Sequence, residues 1–338
     1  MSRQRAHEAY DESDARVRPG RGSRPRSKIR PKHEDAEQGY VIGVDRGRLT
    51  CIVGEVRTIV AMRARELGRK GVVVGDWVDI VGDTSGREGS LARIVRVHDR
   101  TTVLRRTADD DDPVERVIVA NADQMVIVTS VTDPEPRPRL IDRCLVAAFD
   151  AGLDRLLCIT KTDLADPTEL RAIYAPLGVP IQESGLDVEP EPLLTRLSGR
   201  ISVLVGHSGV GKSTLVNLLV PGADRATGEV NIVTGRGRHT SASAVALPLP
   251  TDSGPSEGWI IDTPGIRSFG LAHVDPNHLI HAFPDLDAET AECPRGCTHA
   301  EAEPECALDD AVAAGHLEPA RVDSYRRLLA SRQRQAGD

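Results

Sequence analysis

The stretch Thr160-Lys161-Thr162-Asp163 precedes the stretch Gly206-His207-Ser208-Gly209-Val210-Gly211-Lys212-Ser213, and that order decides the fold of this chain. The second stretch has the pattern G-x-x-x-x-G-K-S, a loop whose backbone N–H groups and lysine bind nucleotide phosphates. The first stretch is similar to the element that reads guanine in nucleotide-binding domains of the G type. In an ordinary domain of that type the phosphate loop comes first. The reversed order therefore predicts a circularly permuted domain.

The residues around both motifs alternate between apolar runs and helical segments. Apolar runs of the kind found in buried parallel strands are Gln124–Thr129, Arg155–Thr160, Ile201–Val205 and Trp259–Ile261. Helices are expected at 138–152 and from Lys212 to Leu219. This alternation predicts a doubly wound α/β domain, which we assign to residues 112–283.

The glycines of the second motif allow successive N–H groups to converge on phosphate oxygens, and a helix N-terminus adds its partial positive charge. Lys212 is expected to reach the β- and γ-phosphates and to support catalysis, and Ser213 to ligate Mg²⁺. Downstream, Asp262-Thr263-Pro264-Gly265 follows an apolar strand. Asp262 is expected to hold Mg²⁺ through water, and the Gly265 N–H to sense the γ-phosphate.

Asp163 is the candidate reader of guanine. A carboxylate can accept hydrogen bonds from N1–H and N2–H₂ of guanine together, whereas adenine offers no such pair. The alternative role of Asp163 is a helix N-cap. Thr160 stands where asparagine is usual, so the hydrogen bonds that brace the loop must differ. Ser184–Gly185, which follows the next expected strand, is the candidate for a loop that contacts the guanine carbonyl.

Ile266 occupies the position at which Ras-like GTPases carry the glutamine that orients water. Its side chain cannot orient water, so slow intrinsic hydrolysis is expected. Gly235–Ser241 lies where the first switch segment belongs. There Thr240 or Ser241 could ligate Mg²⁺, and His239 is either the residue that positions the water or an ordinary loop residue.

The nucleotide-site predictions form one set. The residues expected to contact GTP are Thr160, Lys161, Asp163, Gly206, His207, Ser208, Gly209, Val210, Gly211, Lys212, Ser213, Thr214, Asp262 and Gly265. The expected catalytic residues are His239 and Lys212. The expected Mg²⁺ ligands are Ser213, Thr240 and Asp262.

A second cluster of chemically active residues lies near the C-terminus. Cys293, Cys297, His299 and Cys306 supply three thiolates and one imidazole, the full four-ligand set of a structural zinc site. The alternative is free cysteines beside a chance histidine. His273, His281 and His316 could substitute as ligands. The three other cysteines lie in apolar runs, so no disulfide framework is indicated. Residues 284–338 are predicted to form a helical zinc-binding domain, whose last helix, Arg321–Gln335, is a solvated face or an RNA contact.

The N-terminal part divides into a tail and a barrel. Residues 1–38 have almost no apolar content and are predicted to be disordered, and through Lys32 they carry ten basic and four acidic residues in a chain of net charge −8. A basic arm on an acidic body suggests a polyanionic partner. A solvated tail without a partner would explain the same composition equally well. Short apolar bursts in residues 39–111 predict a five-stranded OB-type barrel. It carries only Tyr40 and Trp77 as aromatics, so nucleic-acid binding by the barrel stays open.

No apolar run approaches the ~20 residues that a transmembrane helix needs, and no secretory signal is visible. The chain is therefore expected to be cytoplasmic and to have no membrane partner. It is also expected to be a monomer.

Taken together, these residues resemble one family closely, the ribosome small-subunit-dependent GTPases called RsgA or YjeQ. The resemblance rests on G-x-S-G-V-G-K-S-T-L at 206–215, G-R-H-T at 237–240, D-T-P-G-I-R-S-F-G-L at 262–271, V-x-G-D-W-V at 73–78 and the Cys-Cys-His-Cys cluster. It implies an OB-fold, a permuted GTPase domain and a zinc domain. It also implies a role in late maturation of the small (30S) subunit, with binding to its rRNA and with GTP hydrolysis to GDP stimulated by the subunit. His239 matches the family's proposed catalytic histidine.

Two departures from the family pattern concern the sites. The family more often has four residues between the first two cysteines, where this chain has three, and Ser241 replaces a second threonine. Two alternative functions are an RNA-binding module in which nucleotide is structural, and a permuted GTPase acting on another ribosomal particle. The fused barrel and cysteine cluster argue against the second. Because the zinc domain follows 262–270 almost directly, we hypothesise that nucleotide state sets its pose.

Overall fold

The computed structural model describes residues 33–54, 57–67, 71–107, 115–223, 244–250, 258–264, 270–301 and 303–333. The elements reported below all belong to one compact unit that begins at Asp35. Nearly all of the predicted tail, 1–38, lies outside the described residues. Within the described ranges, no helix is long and apolar enough to cross a membrane.

Five strands form an N-terminal barrel. They are β1 Glu37–Asp45, β2 Arg48–Val53, β3 Arg57–Arg63, β4 Trp77–Gly82 and β5 Ala92–Val97. The strands pair in the order β1-β2-β3-β5-β4, and β4 pairs again with β1, so the sheet closes on itself. Only the β3–β5 pair is parallel. Alternate apolar residues, including Val41, Cys51, Ile59, Val78 and Ile94, fill the interior. The predicted OB-type barrel is confirmed.

A short hairpin connects the barrel to the rest of the chain. It consists of β6, Val103–Arg106, and β7, Arg116–Ala120, which pair antiparallel. The Ala120 N–H donates to the Val74 carbonyl at 3.1 Å, and the Asn121 side-chain amide donates to the Gly75 carbonyl at 2.8 Å. These bonds fix the hairpin to the barrel, because both acceptors lie just before β4.

The second sheet carries the nucleotide motifs. Its strands are β8 Gln124–Ser130, β9 Asp154–Thr160, β10 Ile181–Ser184, β11 Ile201–Val205, β12 Val245–Pro248 and β13 Trp259–Asp262, in the order β10-β9-β8-β11-β13-β12. All neighbours are parallel except β12 and β13. The helices are α1 Pro138–Asp150, α2 Thr168–Tyr174, α3 Glu191–Leu197 and α4 Lys212–Leu219. β8 is buried over its whole length, as its continuous apolar sequence predicts.

The strand order shows the permutation directly. The phosphate loop follows β11, which lies between β8 and β13 in the middle of the sheet. β8 and β9, on the guanine side, precede it in the chain, whereas in an ordinary domain of this type they would follow it. Because all these parallel strands end at the same edge, both motifs lie at that edge despite their reversed order.

The barrel and the second sheet are joined edge to edge through β1 and β12, where Gly43 pairs with Val245. A hydrophobic core then extends from the hairpin and α1 into the C-terminal region. Among its fully buried members are Leu104, Leu145, Tyr174, Phe283, Leu286, Leu308 and Tyr325. The core is thus continuous across residue 283.

The C-terminal region is helical. It contains α5 Pro284–Ala288, α6 Ala307–Ala313 and α7 Pro319–Gln333, with 3₁₀ turns at Pro276–Ala282 and Glu289–Glu292. α7 packs on α1, where the Arg327 guanidinium contacts the buried Asp142 carboxylate at 3.2 Å. Arg321 donates to the Pro176 carbonyl at 2.9 Å and pairs with Asp285 at 2.7 Å. These contacts tie the last helix to the nucleotide-binding sheet and its helices.

Candidate nucleotide site and metal centre

The phosphate loop, 206–213, turns sharply between β11 and α4. A side chain on Gly206 would lie 2.5 Å from the Val128 carbonyl oxygen, which is too close for any Cβ. Gly211, directly before α4, has a φ of 85°, a conformation that glycine adopts readily and other residues rarely do. The turn of the loop between β11 and α4 therefore requires glycine at both positions.

Lys212 lies where a lysine of this motif is expected. It is buried, and its ammonium is 3.0 Å from the Asp262 carboxylate and donates to the Thr263 carbonyl. Asp262 ends β13, which neighbours β11, so the two motifs meet through the register Leu204 with Asp262. The Thr263 hydroxyl donates to the Leu204 carbonyl at 2.7 Å and fixes the chain after Asp262. A cation and a carboxylate thus converge at the phosphate loop.

Thr160, the first residue of the predicted guanine-reading element, connects the end of β9 to the phosphate loop. Its hydroxyl lies 2.5 Å from the Val210 carbonyl and 3.2 Å from the Thr129 carbonyl. A hydroxyl has one proton, so the shorter contact is the principal bond and the other oxygen shares it weakly. Thr160 therefore braces the loop through its single hydroxyl at the position where an asparagine amide is usual.

The Asp163 carboxylate lies beside the loop that follows β10. Its Oδ1 accepts from the Leu186 N–H at 3.3 Å, and a side chain on Gly185 would meet that oxygen at 2.8 Å. β10 runs parallel to β9 with Ser184 opposite Thr160, and this register brings the two loops together. The structure therefore places Ser184–Gly185 against Asp163, and its contact with the guanine carbonyl stays a prediction.

Residues 131–137, the loop that follows β8, lie beside both motifs, and sequence reasoning did not assign them to the site. The Lys161 ammonium donates to the Asp133 carbonyl, and Pro134 would contact a side chain on Gly209 at 3.4 Å. The Ser130 hydroxyl donates to the Pro134 carbonyl at 2.7 Å and fixes the loop. The signal in the sequence was the proline-rich run D-P-E-P-R-P after a buried strand, at the edge where the motifs converge.

Four predicted site residues lie outside the described residues: His239, Thr240, Ser241 and Gly265. Ile266 lies outside them as well. The predicted roles of these residues in Mg²⁺ binding, γ-phosphate sensing and water positioning stay predictions.

Cys293, Cys297, His299 and Cys306 form one cluster in the C-terminal region. Their four donor atoms all lie within 4.8 Å of one another. The three sulfurs are 3.6, 3.5 and 3.8 Å from His299 Nδ1, in chain order. Around a tetrahedral zinc ion with Zn–S bonds of ~2.3 Å and a Zn–N bond of ~2.0 Å, that separation is about 3.5 Å. The donor set therefore fits a four-coordinate metal ion.

The surroundings of the cluster favour metal binding. Burial lowers the pKa of His299 below its ordinary value, so the imidazole is neutral at pH 7 and its Nδ1 can act as a ligand. The Ala307 N–H approaches Cys293 Sγ at 3.3 Å, a contact that favours a thiolate. The three spare histidines lie elsewhere, since His273, His281 and His316 face Asp150, Asp287 and Glu289.

These observations define a class: a circularly permuted phosphate-loop domain with an N-terminal β-barrel and a C-terminal Cys₃His cluster. Comparison with known proteins identifies the family. The RsgA GTPase family model matches residues 97–272. The small ribosomal subunit biogenesis GTPase RsgA of Nitrosospira multiformis is 35% identical over 292 residues, which cover 85% of each chain. Its counterpart in Pseudomonas fluorescens is 40% identical over 260 residues, 73% of this chain and 72% of the relative. The chain belongs to the RsgA GTPase family.

Solved structures agree with this assignment. YjeQ from Thermotoga maritima is 28% identical, with a TM-score of 0.65 over 88% of this chain and 99% of that one. YloQ, described as a circularly permuted GTPase, is 20% identical, with a TM-score of 0.61 over 90% of this chain and 98% of the other. The permuted order inferred from the two motifs is confirmed by this fold.

Proposed function

We propose that this chain hydrolyses GTP to GDP and phosphate while it assists late maturation of the small ribosomal subunit, and that the subunit stimulates hydrolysis. The curated relatives carry the name small ribosomal subunit biogenesis GTPase, which supports the choice of partner. The observation that carries the enzymatic part is the meeting of Lys212, Asp262 and Thr160 at one sheet edge. The subunit and its rRNA would be met in the cytoplasm by a monomer.

The residues of the nucleotide site have the following roles in this proposal. Asp163 accepts the N1–H and N2–H₂ of guanine, and 206–214 hold the phosphates through backbone N–H groups. Lys212 leaves its contact with Asp262 for the β- and γ-phosphates. Ser213 and Asp262 would hold Mg²⁺, and the ion would supply positive charge to the phosphates. Thr240 and His239 would complete the site from the first switch segment.

We further propose that the Cys₃His cluster holds one structural zinc ion per chain. Four protein ligands leave no open position for catalysis, and three thiolates with one imidazole are a typical zinc set. Metal analysis of protein purified without added metal should give one zinc per chain. His299→Cys replaces the imidazole with a fourth thiolate and should retain zinc, whereas His299→Ala should lose most of it.

GTP turnover by the purified protein tests the main proposal, measured alone, with small subunits and with large subunits. We expect slow turnover alone and an increase of tenfold or more with small subunits only. Lys212→Ala should lower stimulated turnover by about a hundredfold, because it removes charge stabilisation of the transition state. Stimulation by large subunits alone would instead indicate another ribosomal particle. Full support of maturation in cells by Lys212→Ala and His239→Ala would indicate an RNA-binding module with structural nucleotide.

A further inference from the structure

His207, the second residue of the phosphate loop, turns its side chain into the protein. The residue is only 6% exposed, and its Nε2 atom is buried. Its Nδ1 lies 2.9 Å from the Ser208 carbonyl oxygen. Burial lowers the pKa of His207 below its ordinary value, so the imidazole is neutral at pH 7 and carries one proton. The carbonyl acceptor places that proton on Nδ1, because two lone pairs would repel each other at this distance.

The bond to Ser208 fixes the orientation of a peptide plane. In a trans peptide the C=O of one residue and the N–H of the next point in opposite directions. A Ser208 carbonyl held toward the imidazole therefore turns the Gly209 N–H away from it. Among the described residues, that N–H has no protein acceptor. Loops of this kind bind phosphate through such N–H groups.

Two further observations concern the surroundings of this peptide. Gly209 has a φ of 89°, which favours glycine, and Pro134 lies 3.4 Å from the place where a Cβ on Gly209 would stand. His207 Nε2 is buried and has no hydrogen-bond partner among the described residues. A buried imidazole with one nitrogen unused is unfavourable for stability alone. The Nδ1 bond is thus the one hydrogen bond that this side chain makes with the described residues.

We propose that His207 is a positioning residue for phosphate binding, which holds the Ser208–Gly209 peptide so that the Gly209 N–H faces the bound diphosphate. This inference rests on the proposed function, since it concerns the same nucleotide. It assigns His207 no contact with GTP through its side chain. The sequence predicts that His207 contacts GTP, without indicating whether its side chain or its backbone does so.

Two amide replacements separate the roles of the ring nitrogens. The side-chain nitrogen of asparagine can occupy approximately the place of Nδ1, whereas that of glutamine reaches approximately the place of Nε2. His207→Asn should therefore keep the bond to Ser208, and His207→Gln should lose it. His207→Ala removes both nitrogens. Asparagine and glutamine have the same polar group, so a general effect of polarity would affect both variants alike.

Calorimetric titration of each full-length protein with GDP and with GMP, in Mg²⁺ buffer, tests the proposal. We expect His207→Ala and His207→Gln to weaken GDP binding about five- to tenfold and GMP binding less. His207→Asn should restore GDP affinity to within about twofold. Should His207→Ala fail to fold, as judged by thermal melting, the comparison of His207→Gln with His207→Asn still tests the proposal.

Equal GDP affinities for wild type and His207→Gln would overturn the inference. So would equal losses of GDP affinity in His207→Asn and His207→Gln. A wild-type protein that does not bind GDP overturns the proposed function instead.

Discussion

At the scale of single residues, the Thr160 hydroxyl links the predicted guanine-binding segment, 160–163, to the phosphate loop through a single hydrogen bond. One oxygen, 2.5 Å from the Val210 carbonyl, connects the end of β9 to the phosphate loop. Thr160→Val has the same shape but leaves a buried carbonyl without its donor, at a cost of about 1–2 kcal/mol. We expect GDP to dissociate about five- to thirtyfold faster, measured by chase of a fluorescent GDP analogue.

A matched control for this prediction is Thr160→Ser, which keeps the hydroxyl and should release GDP at close to the wild-type rate. Equal rates for wild type and Thr160→Val would show that the bond does not hold the loop.

The sequence predicted those parts of the site that depend on local spacing. Gly206–Ser213 required only a strand before it and a helix after it, and both could be read from apolar periodicity. The packing of Asp133 and Pro134 against Lys161 and Gly209 could not be predicted in this way. Those contacts join residues far apart in the chain and depend on which strands become neighbours. The burial of His207 had no local signal either, because polar side chains in this loop usually face solvent or ligand.

At the scale of elements, α7 is docked on α1 through a buried charge. Asp142 is 3% exposed and Arg327 approaches it at 3.2 Å. Arg327→Met keeps most of the packing but leaves a buried carboxylate without its cation. We expect the free energy of unfolding at pH 7 to fall by about 3 kcal/mol, measured by urea denaturation.

The penalty for Arg327→Met should depend on pH. Burial raises the pKa of Asp142 above its ordinary value, and the loss of Arg327 removes the main opposing influence. A raised folded-state pKa gives a stability advantage that is full below the unfolded value of ~3.9 and lost as pH rises through the folded value. The variant should therefore differ less from wild type near pH 4 than at pH 7.

A control ion pair involves the same helix, since Arg321 of α7 pairs with Asp285 of α5. The Asp285 side chain is 46% exposed, so Asp285→Asn should cost less than about 1 kcal/mol. A comparable loss in both variants would mean that burial of Asp142 is not the cause.

The Cys₃His cluster lies in a segment whose described residues have little regular structure. Between Cys293 and Cys306 they form turns and irregular chain, and Cys306 occupies the N-cap position of α6 and belongs to the continuous core. Removal of the metal should therefore destabilise the core as well as the loop. We expect a chelator to lower the melting temperature by about 5 °C or more, and zinc to restore it. A melting curve unaffected by chelator at zero bound metal would contradict this coupling.

At the scale of the whole molecule, the order of the domains along the chain could be predicted from the permuted order of the motifs. The packing of the domains against one another could not be predicted from that order. The sequence predicts a nucleotide-binding domain that ends at residue 283, because the segment after it is helical and carries the candidate metal ligands. In the structure, Phe283 and Tyr325 pack as an aromatic pair at 5.5 Å within the same core as Leu145 of α1. Such packing between distant residues has no period to detect, so only the structure shows how the C-terminal helices join the nucleotide-binding sheet.

This packing defines a route by which nucleotide state could reach the other domains. The chain after Asp262 returns at Gly270, whose carbonyl accepts from the Thr107 N–H at 3.3 Å, and the Ala272 N–H donates to Thr107 Oγ1 at 3.4 Å. Thr107 follows β6, so the chain just after the segment predicted to sense the γ-phosphate is tied to the hairpin beside the barrel. It then enters the core that contains Phe283.

We therefore expect exchange of nucleotide to change both the hairpin and the C-terminal helices. Hydrogen exchange followed by mass spectrometry should show different protection of 103–107 and 270–283 between the GDP-bound protein and the protein bound to a non-hydrolysable GTP analogue. Thr107→Val keeps the backbone donor but removes the Oγ1 acceptor, and should reduce the difference at 103–107 while the difference at 206–213 remains. Protection that changes at 206–213 alone in the wild type would show that nucleotide state stays local, and the proposed effect on the pose of the zinc domain would be wrong.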